Sequence, residues 1–406
     1  MKCVLVNPPV LVADPYQAYA YADVRPYGLY QIATMLAKEG HWVRVIDMME
    51  YRQGDYEALI DPRFEYGSLP SGDNESGARK NVYLYGKPLA WLEDELERIG
   101  AADQVLVTCC LPFNFRPAVD VVSLCKSKFP AARVRFGGLY PTLFPKHAAR
   151  SGADEIFEGR WEQAEKVMAD PSLCSGTPDR WIFKLVNGCK YRCSFCINAA
   201  TSPSLAFEPR SVANEIARLQ REFGIEEFCN WDPNVLLMPD ALVELFRWLE
   251  NEGTSPRLRF DMGISPHLLT PDVAKAMYDA HTVAMTIPFE SVDPSMMRRF
   301  GKPYGESESL RALEICRKTG FDTRRFHCTF LVGIRGENLR SVFRTYLSIL
   351  ENGGKPTPFP LTPTPPTREY RRHERWLEGK DLDELNGHLW PTQPAKMIGV
   401  YDTIME

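Results

Sequence analysis

Cys189, Cys193 and Cys196 stand in one short segment, Cys189-Lys190-Tyr191-Arg192-Cys193-Ser194-Phe195-Cys196, which opens directly after the strand-like run 182–186 and Gly188. Three thiolates on one such loop can wrap a [4Fe–4S] cubane and bind three of its four irons. The fourth iron then stays open to a small ligand, as the open position of a catalytic zinc does. Two other readings stand beside this one. Structural zinc asks for a fourth Cys or His at compatible spacing, and none follows nearby. An incidental cysteine-rich loop is the other, since a motif carries weight only in its context.

That context is an alternation of strands and helices. Strands are expected at 3–6, 42–46, 105–108 and 133–136, with helices through 27–39 and 118–128 between them. Such β/α units imply a parallel, doubly wound sheet. The polar stretch 61–80 reads as an excursion from it. After a linker at 168–180, a second series places strands near 182–186, 227–231, 258–262, 283–287 and 327–332. One helix is expected to start after Asp240 as its N-cap and to stop at Gly253. The second series suggests a partial barrel with its working groups at the carboxyl ends of its strands. The resulting division is 1–168, 169–355, and a C-terminal extension over 356–406.

Composition excludes several classes. A net charge of -5 argues against a nucleic-acid surface, and short basic clusters such as Arg371 and Arg372 read as a solvated face. The opening residues Met1-Lys2-Cys3-Val4-Leu5-Val6 read as a strand and not a signal peptide, and no apolar run is long enough to span a bilayer. A cytoplasmic protein without membrane association is the expectation. In that compartment the 11 cysteines are reduced, available for packing, metal or chemistry.

The C-x3-C-x2-C spacing, the aromatic Phe195 just before the last cysteine, and the position after the first strand of a β/α series together resemble the radical S-adenosylmethionine (SAM) superfamily. The resemblance implies that the open iron chelates SAM. One electron from the cluster then yields methionine and a 5′-deoxyadenosyl radical, with the protein positioning and shielding these species. It also implies an electron donor such as flavodoxin or ferredoxin, and a small-molecule substrate. By the same resemblance Glu290 and Ser291, closing the fourth strand, face the SAM ribose. Asp232, after the second strand, faces the amino end. Gly333, after the fifth strand, and Phe195 lie by the adenine.

The segments Leu5-Val6-Asn7-Pro8-Pro9, Pro26-Tyr27-Gly28, Gly137-Gly138-Leu139-Tyr140-Pro141-Thr142 and Asp154-Glu155-Ile156-Phe157-Glu158-Gly159 resemble the cobalamin-binding domain fused ahead of many such barrels. Gly137 and Gly138 would let a ligand approach the backbone at a strand end. No Asp-x-His-x-x-Gly segment, a usual source of a cobalt ligand, is present. Cys109 and Cys110 end a strand at the ligand-binding edge, and with Cys229 and Cys328 they offer a second Fe–S cluster as the alternative. Three functions therefore stand: cobalamin-assisted C-methylation, a cobalamin-free rearrangement or sulfur insertion with an auxiliary cluster, and a non-enzymatic electron carrier or sensor.

Overall fold

The computed structural model describes residues 1–14, 17, 25–49, 65–197 and 201–405. The chain forms two compact units, Met1–Pro178 with Arg375–Ile398, and Asp179–Glu374 with Gly399–Glu406. The division falls at Pro178, within the stretch 168–180. The tail expected as a separate extension is shared between the units instead.

The first unit is built on β1 (Lys2–Asn7), β2 (Val10–Val12), β3 (Trp42–Asp47), β4 (Glu65–Ser71), β5 (Ala78–Tyr85), β6 (Gln104–Thr108), β7 (Arg133–Gly137) and β8 (Glu155–Ile156). Cys3, Val4, Leu5 and Val6 are all fully buried, the pattern of a central strand covered on both faces. The parallel order is β3-β1-β6-β7-β8, a doubly wound sheet whose strand order reverses between β1 and β6. In the described part of the polar stretch 61–80, β4 pairs with β5 as an antiparallel hairpin that β2 joins, apart from the parallel sheet.

Residues 381–393 complete this unit through side chains far apart in sequence. Arg116 pairs with Asp381 and with the fully buried Asp383. His388 Nδ1 lies 2.6 Å from Asp14, Asn386 donates to Gln17 at 3.2 Å, and Ser71 donates to the Leu389 carbonyl at 3.0 Å.

Gly138 follows β7 at φ 102°. A Cβ there would lie 2.6 Å from the Cys109 carbonyl oxygen, and one on Gly137 would meet Phe157 at 3.6 Å. Close packing of the chain on itself is therefore sufficient reason for glycine at 138, without a ligand.

In the second unit the strands are β9 (Arg180–Phe183), β10 (Val186–Asn187), β11 (Ser204–Leu205), β12 (Glu227–Asn230), β13 (Arg257–Phe260), β14 (Thr282–Glu290), β15 (His327–Val332) and β16 (Lys355–Pro360). Six of them run parallel in the order β16-β15-β14-β13-β12-β9. Spatial order follows chain order, as in a β/α barrel left open. The start of the expected extension over 356–406 is instead β16, the sixth strand; its prolines are tolerated because β16 is an edge.

Glu227 binds Arg180 at 3.3 Å, Arg257 at 3.0 Å and Arg259 at 3.4 Å, tying together the first strands of the sheet. The helix Pro239–Asn251 is capped by Met238. Proline at the first helical position sets the start, so Asp240 lies in the first turn and not at the cap. Its charge there complements the positive helix end.

Replacing Gly138 with Ala should destabilise the protein by about 2 kcal/mol or more, since a strained φ adds to a backbone clash. The midpoint of urea unfolding checks this.

Candidate functional site

The carboxyl ends of β9, β12, β14 and β15 gather the second unit's polar groups. The cysteine loop leaves β10 through Gly188, at φ 76°. A Cβ there would lie 2.4 Å from the Ser202 carbonyl oxygen, so only glycine lets the loop start where it does. The Cys189 N–H donates to Thr201 Oγ1 at 2.8 Å, and the Cys196 N–H to the Cys193 carbonyl at 3.2 Å.

Glu290 ends β14 with φ 60° at a shift in strand register. A positive φ is uncommon for a long side chain and clusters at functional sites. Glu290 is only 7% exposed, and its Oε1 lies 2.5 Å from Lys302 Nζ. Lys302 follows the helix Pro294–Phe300, and its ammonium also lies 5.2 Å from the Phe195 ring centre and 5.5 Å from that of Tyr304. Burial opposes its charge, but Glu290 overrides this and holds the amine above its ordinary range.

The thiol of Cys193 is pushed up by burial and pulled back by Lys302, with Cys196, Glu290 and Cys189 opposing. These mutual effects place the three cysteines and the Glu290–Lys302 pair in one electrostatic neighbourhood. Beside them, Tyr191 Oη lies 2.8 Å from His267 Nε2, and the His267 ring stacks on Tyr304 at 5.4 Å.

Among the described residues no three His, Cys, Asp or Glu side chains close around a point as a single ion requires. A cubane makes a different demand, because each thiolate takes a separate iron. Three cysteines on one anchored loop, with a cation near the middle one, fit a [4Fe–4S] cluster with one open corner.

Asp232 has a different set of partners from the one expected of a SAM ligand. It is 1% exposed, accepting from the Leu185 N–H and from Asn230 Nδ2, each at 2.9 Å. The carboxylate thus holds the backbone that leads into the cysteine loop.

Ser291, Met296, Phe300, Leu331 and Glu337 line a small cleft with Glu290. Phe195 packs edge-on against Phe300 at 5.5 Å. The Gly333 N–H is taken by Glu337 Oε1 at 2.7 Å, which also accepts from Ile334 N–H at 3.0 Å and Tyr401 Oη at 2.6 Å. Burial pushes the Glu337 carboxyl up to about 7. Sequence reasoning missed Lys302 and Glu337. The signal for Glu337 was an acid closing Gly333-Ile334-Arg335-Gly336, whereas Lys302 had none.

The four further cysteines do not form one set. The Cys328 sulfur packs towards Gly354, Ile349 and Leu313, on the helix-covered face of the sheet. Its neighbour His327 points the other way and feels Asp261 and Arg259; Cys229 feels the same two charges. Cys229 and Cys328 therefore occupy opposite faces, and one cluster cannot draw on both. In the first unit Cys109 is buried and Cys110 exposed, both after β6. Each imidazole of that unit already has protein partners: His41 with Met1 and Glu39, His147 with Tyr140 and Asp381, His388 with Asp14.

Residues 183–349 match the family model of the radical SAM superfamily. That stretch is a radical SAM domain, and the chain that carries it is an enzyme. No curated protein matches the sequence. Among solved structures, the radical SAM methyltransferase TsrM from Kitasatospora setae, with tryptophan and a SAM analogue bound, is 17% identical with a TM-score of 0.62. The match covers 92% of this chain and 76% of that one. A second TsrM structure, with cobalamin and a [4Fe–4S] cluster, is 16% identical at TM-score 0.61, over 93% and 78% of the two chains. The cobalamin-dependent radical enzyme OxsB, with aqua-cobalamin bound, is 14% identical at TM-score 0.59, over 98% of this chain but 58% of its own. At these identities the likeness is one of fold: a doubly wound domain ahead of a radical SAM barrel.

Asp232 supplies a pH test. Burial, only partly offset by Asn230 and the Leu185 amide, raises its carboxyl from 3.8 to about 6. A raised folded-state pKa contributes stability below the unfolded value that is lost as pH rises through the folded one. Asp232→Asn should therefore remove a fall in stability between about pH 4 and pH 6, seen by comparing urea midpoints of both proteins across that range.

Proposed function

We propose that the cluster loop Cys189, Cys193 and Cys196 serves reductive cleavage of SAM, and that the product radical acts on a small molecule to give cobalamin-assisted C-methylation. The observation that carries this reading is one chain in which a 2-1-3-4-5 doubly wound sheet precedes an open barrel with three cysteines at its carboxyl edge. The matches to TsrM and OxsB, whose structures hold cobalamin, cover 93% and 98% of this chain.

When bound, a cubane with an open iron supplies the electron that splits the sulfonium and the coordination site that orients SAM. The chain's own contribution is positional. Glu290, fixed by Lys302 and a strained backbone, offers a carboxylate to ribose hydroxyls. Ser291 adds a hydroxyl beside it, Phe195 an aromatic face, and Gly333 backbone beside the adenine. Asp232 holds the 185–186 backbone, so its effect on SAM is indirect. Gly137 and Gly138 shape the edge of the first unit, where a corrin would be held without a protein imidazole. A diffusible flavodoxin or ferredoxin fits the need for single electrons. No helix among the described residues is long and apolar enough to cross a membrane, and we place the enzyme in the cytoplasm. An auxiliary cluster is disfavoured by the opposite faces of Cys229 and Cys328.

Anaerobically purified protein should hold about four irons per chain, bind added cobalamin, and release 5′-deoxyadenosine from SAM and dithionite. Alanine at all three cysteines should abolish that release, and retained cleavage would refute the cluster assignment. Glu290→Ala should weaken SAM binding about ten- to a hundredfold, the effect of losing a hydrogen bond to a charged group, about 1.5–3 kcal/mol. Four irons with normal SAM cleavage but no cobalamin affinity would refute the methylation branch alone.

A further inference from the structure

Glu369 has no exposed surface and lies in the first turn of the helix Arg368–Leu377, in a part of the sequence with no cysteine and no motif. Its surroundings are unusually complete for a residue so far along the chain from the cluster loop. Ser194, the residue after Cys193, donates its hydroxyl to Glu369 Oε1 at 2.8 Å. The Glu369 N–H donates in return to the Ser194 carbonyl at 3.0 Å, and the Ser194 N–H donates to the Phe300 carbonyl at 2.8 Å. All three polar groups of Ser194 are thus bonded outside the loop. The next residue towards the N-terminus of that helix, Arg368, donates to the Arg192 carbonyl. The loop is gripped on both sides of Cys193.

The carboxylate itself is held by two arginines. Arg299 approaches Oε2 with Nη2 at 2.8 Å and Nε at 3.2 Å, two charge-assisted hydrogen bonds on one oxygen. Arg372 donates to Oε1 and also to the Arg299 carbonyl at 3.2 Å. His373 closes the arrangement: its Nδ1 lies 2.7 Å from the Glu369 carbonyl and its Nε2 3.3 Å from Arg299 Nη2. The carbonyl can only accept and the guanidinium can only donate, so the imidazole is neutral with its proton on Nδ1. Two cations face one anion, which leaves a net positive charge beside the loop.

We propose that Glu369 is a positioning residue for the iron–sulfur cluster, fixing Ser194 and hence Cys193, and balancing the charge of Arg299 and Arg372 next to it. This rests on the assignment of the cluster to Cys189, Cys193 and Cys196. Outer partners of this kind govern retention and electronics of a metal group without touching it. They do so in two separable ways here. The hydrogen bond to Ser194 holds the loop in place. The negative charge tempers the field of two arginines, which would otherwise favour the reduced, more negative cluster.

The test uses the full chain with its cluster reconstituted anaerobically, as wild type, Glu369→Ala, Glu369→Gln and Ser194→Ala. Two quantities are read: the rate of iron loss to a ferrous chelator, and the midpoint potential of the cluster by EPR-monitored titration. Glu369→Ala should lose iron about 10–100-fold faster, the range found for loss of such outer partners. Ser194→Ala, which removes one hydroxyl and leaves the ion pairs intact, should also lose iron faster while folding normally by circular dichroism. Glu369→Gln keeps an acceptor for Ser194 and removes the charge. It should retain iron better than Glu369→Ala and shift the potential upward, a movement that a purely structural residue would not cause. Wild-type iron retention in Ser194→Ala, or a potential unchanged or lowered in Glu369→Gln, overturns the proposal. If Glu369→Ala does not fold, the other two variants decide it. Failure of the underlying cluster assignment looks different, since iron is then absent from the wild type as well.

Discussion

The ion pair between Glu290 and Lys302 is the contact on which the site depends. Both side chains are withdrawn from water, and desolvation of two charges is compensated only by a short contact with further favourable neighbours. Here the contact is 2.5 Å, and the ammonium also faces the Phe195 and Tyr304 rings. Removing either partner would leave a buried charge unpaired, at a penalty of about 3–5 kcal/mol. That energy keeps Glu290 in a backbone conformation that costs about 1–3 kcal/mol. The pair thereby fixes where the strand end presents its carboxylate, and where the lysine meets the middle cysteine of the loop.

Four buried carboxyl groups surround this region, and they have different partners. Asp232 and Glu337 accept only from neutral amides and a hydroxyl, so desolvation wins and their carboxyls rise to about 6 and about 7. Glu369 is no less buried, yet Arg299, Ser194 and Arg372 overcome desolvation and hold it below its ordinary range. Glu290 has its lysine. Neutral donors thus serve where Asp232 and Glu337 fix backbone at Leu185 and Gly333, while cations pair with Glu290 and Glu369. A hydrogen bond from a neutral amide contributes about 1 kcal/mol, and one to a charged group about twice that. That difference matches the opposite directions in which Glu337 and Glu369 are shifted.

Much of the architecture was legible because it is local. Buried parallel strands such as Cys3–Val6 have a continuous apolar signature, and the three loop cysteines are neighbours in sequence. Glu290 was legible as an acid at a strand end. What was hidden depends on pairs distant in the chain. Lys302 reads as an exposed lysine after a helix until its neighbours are known. Glu369 meets Ser194 across 175 residues, and Asn386 meets Gln17 across 369. The Pro-rich run before them carries every sign of a loop, yet it forms β16 because an edge strand needs donors on one side only. Asp232 was read as a ligand from its place alone, and only its hydrogen bonds showed that the backbone already claims it.

The last part of the chain shows why composition misleads about domains. Residues up to Glu374 belong with the barrel unit, Arg375–Ile398 with the doubly wound unit, and the final residues with the barrel again. Each passage has its own polar anchor: Glu369 on Ser194, Asp383 on Arg116, and Tyr401 on Glu337. Removing this tail would therefore not trim an appendage. It would take Glu369 from Arg299, Asp381 and Asp383 from Arg116, and Tyr401 from Glu337, inside two different units, and a charged group stripped of its partner in a buried site is among the more destabilising changes a protein meets. The tail is as much a part of the site's support as the strands that carry it, because the hydroxyl and carbonyl of Ser194, in the middle of the cysteine loop, are both bonded to Glu369.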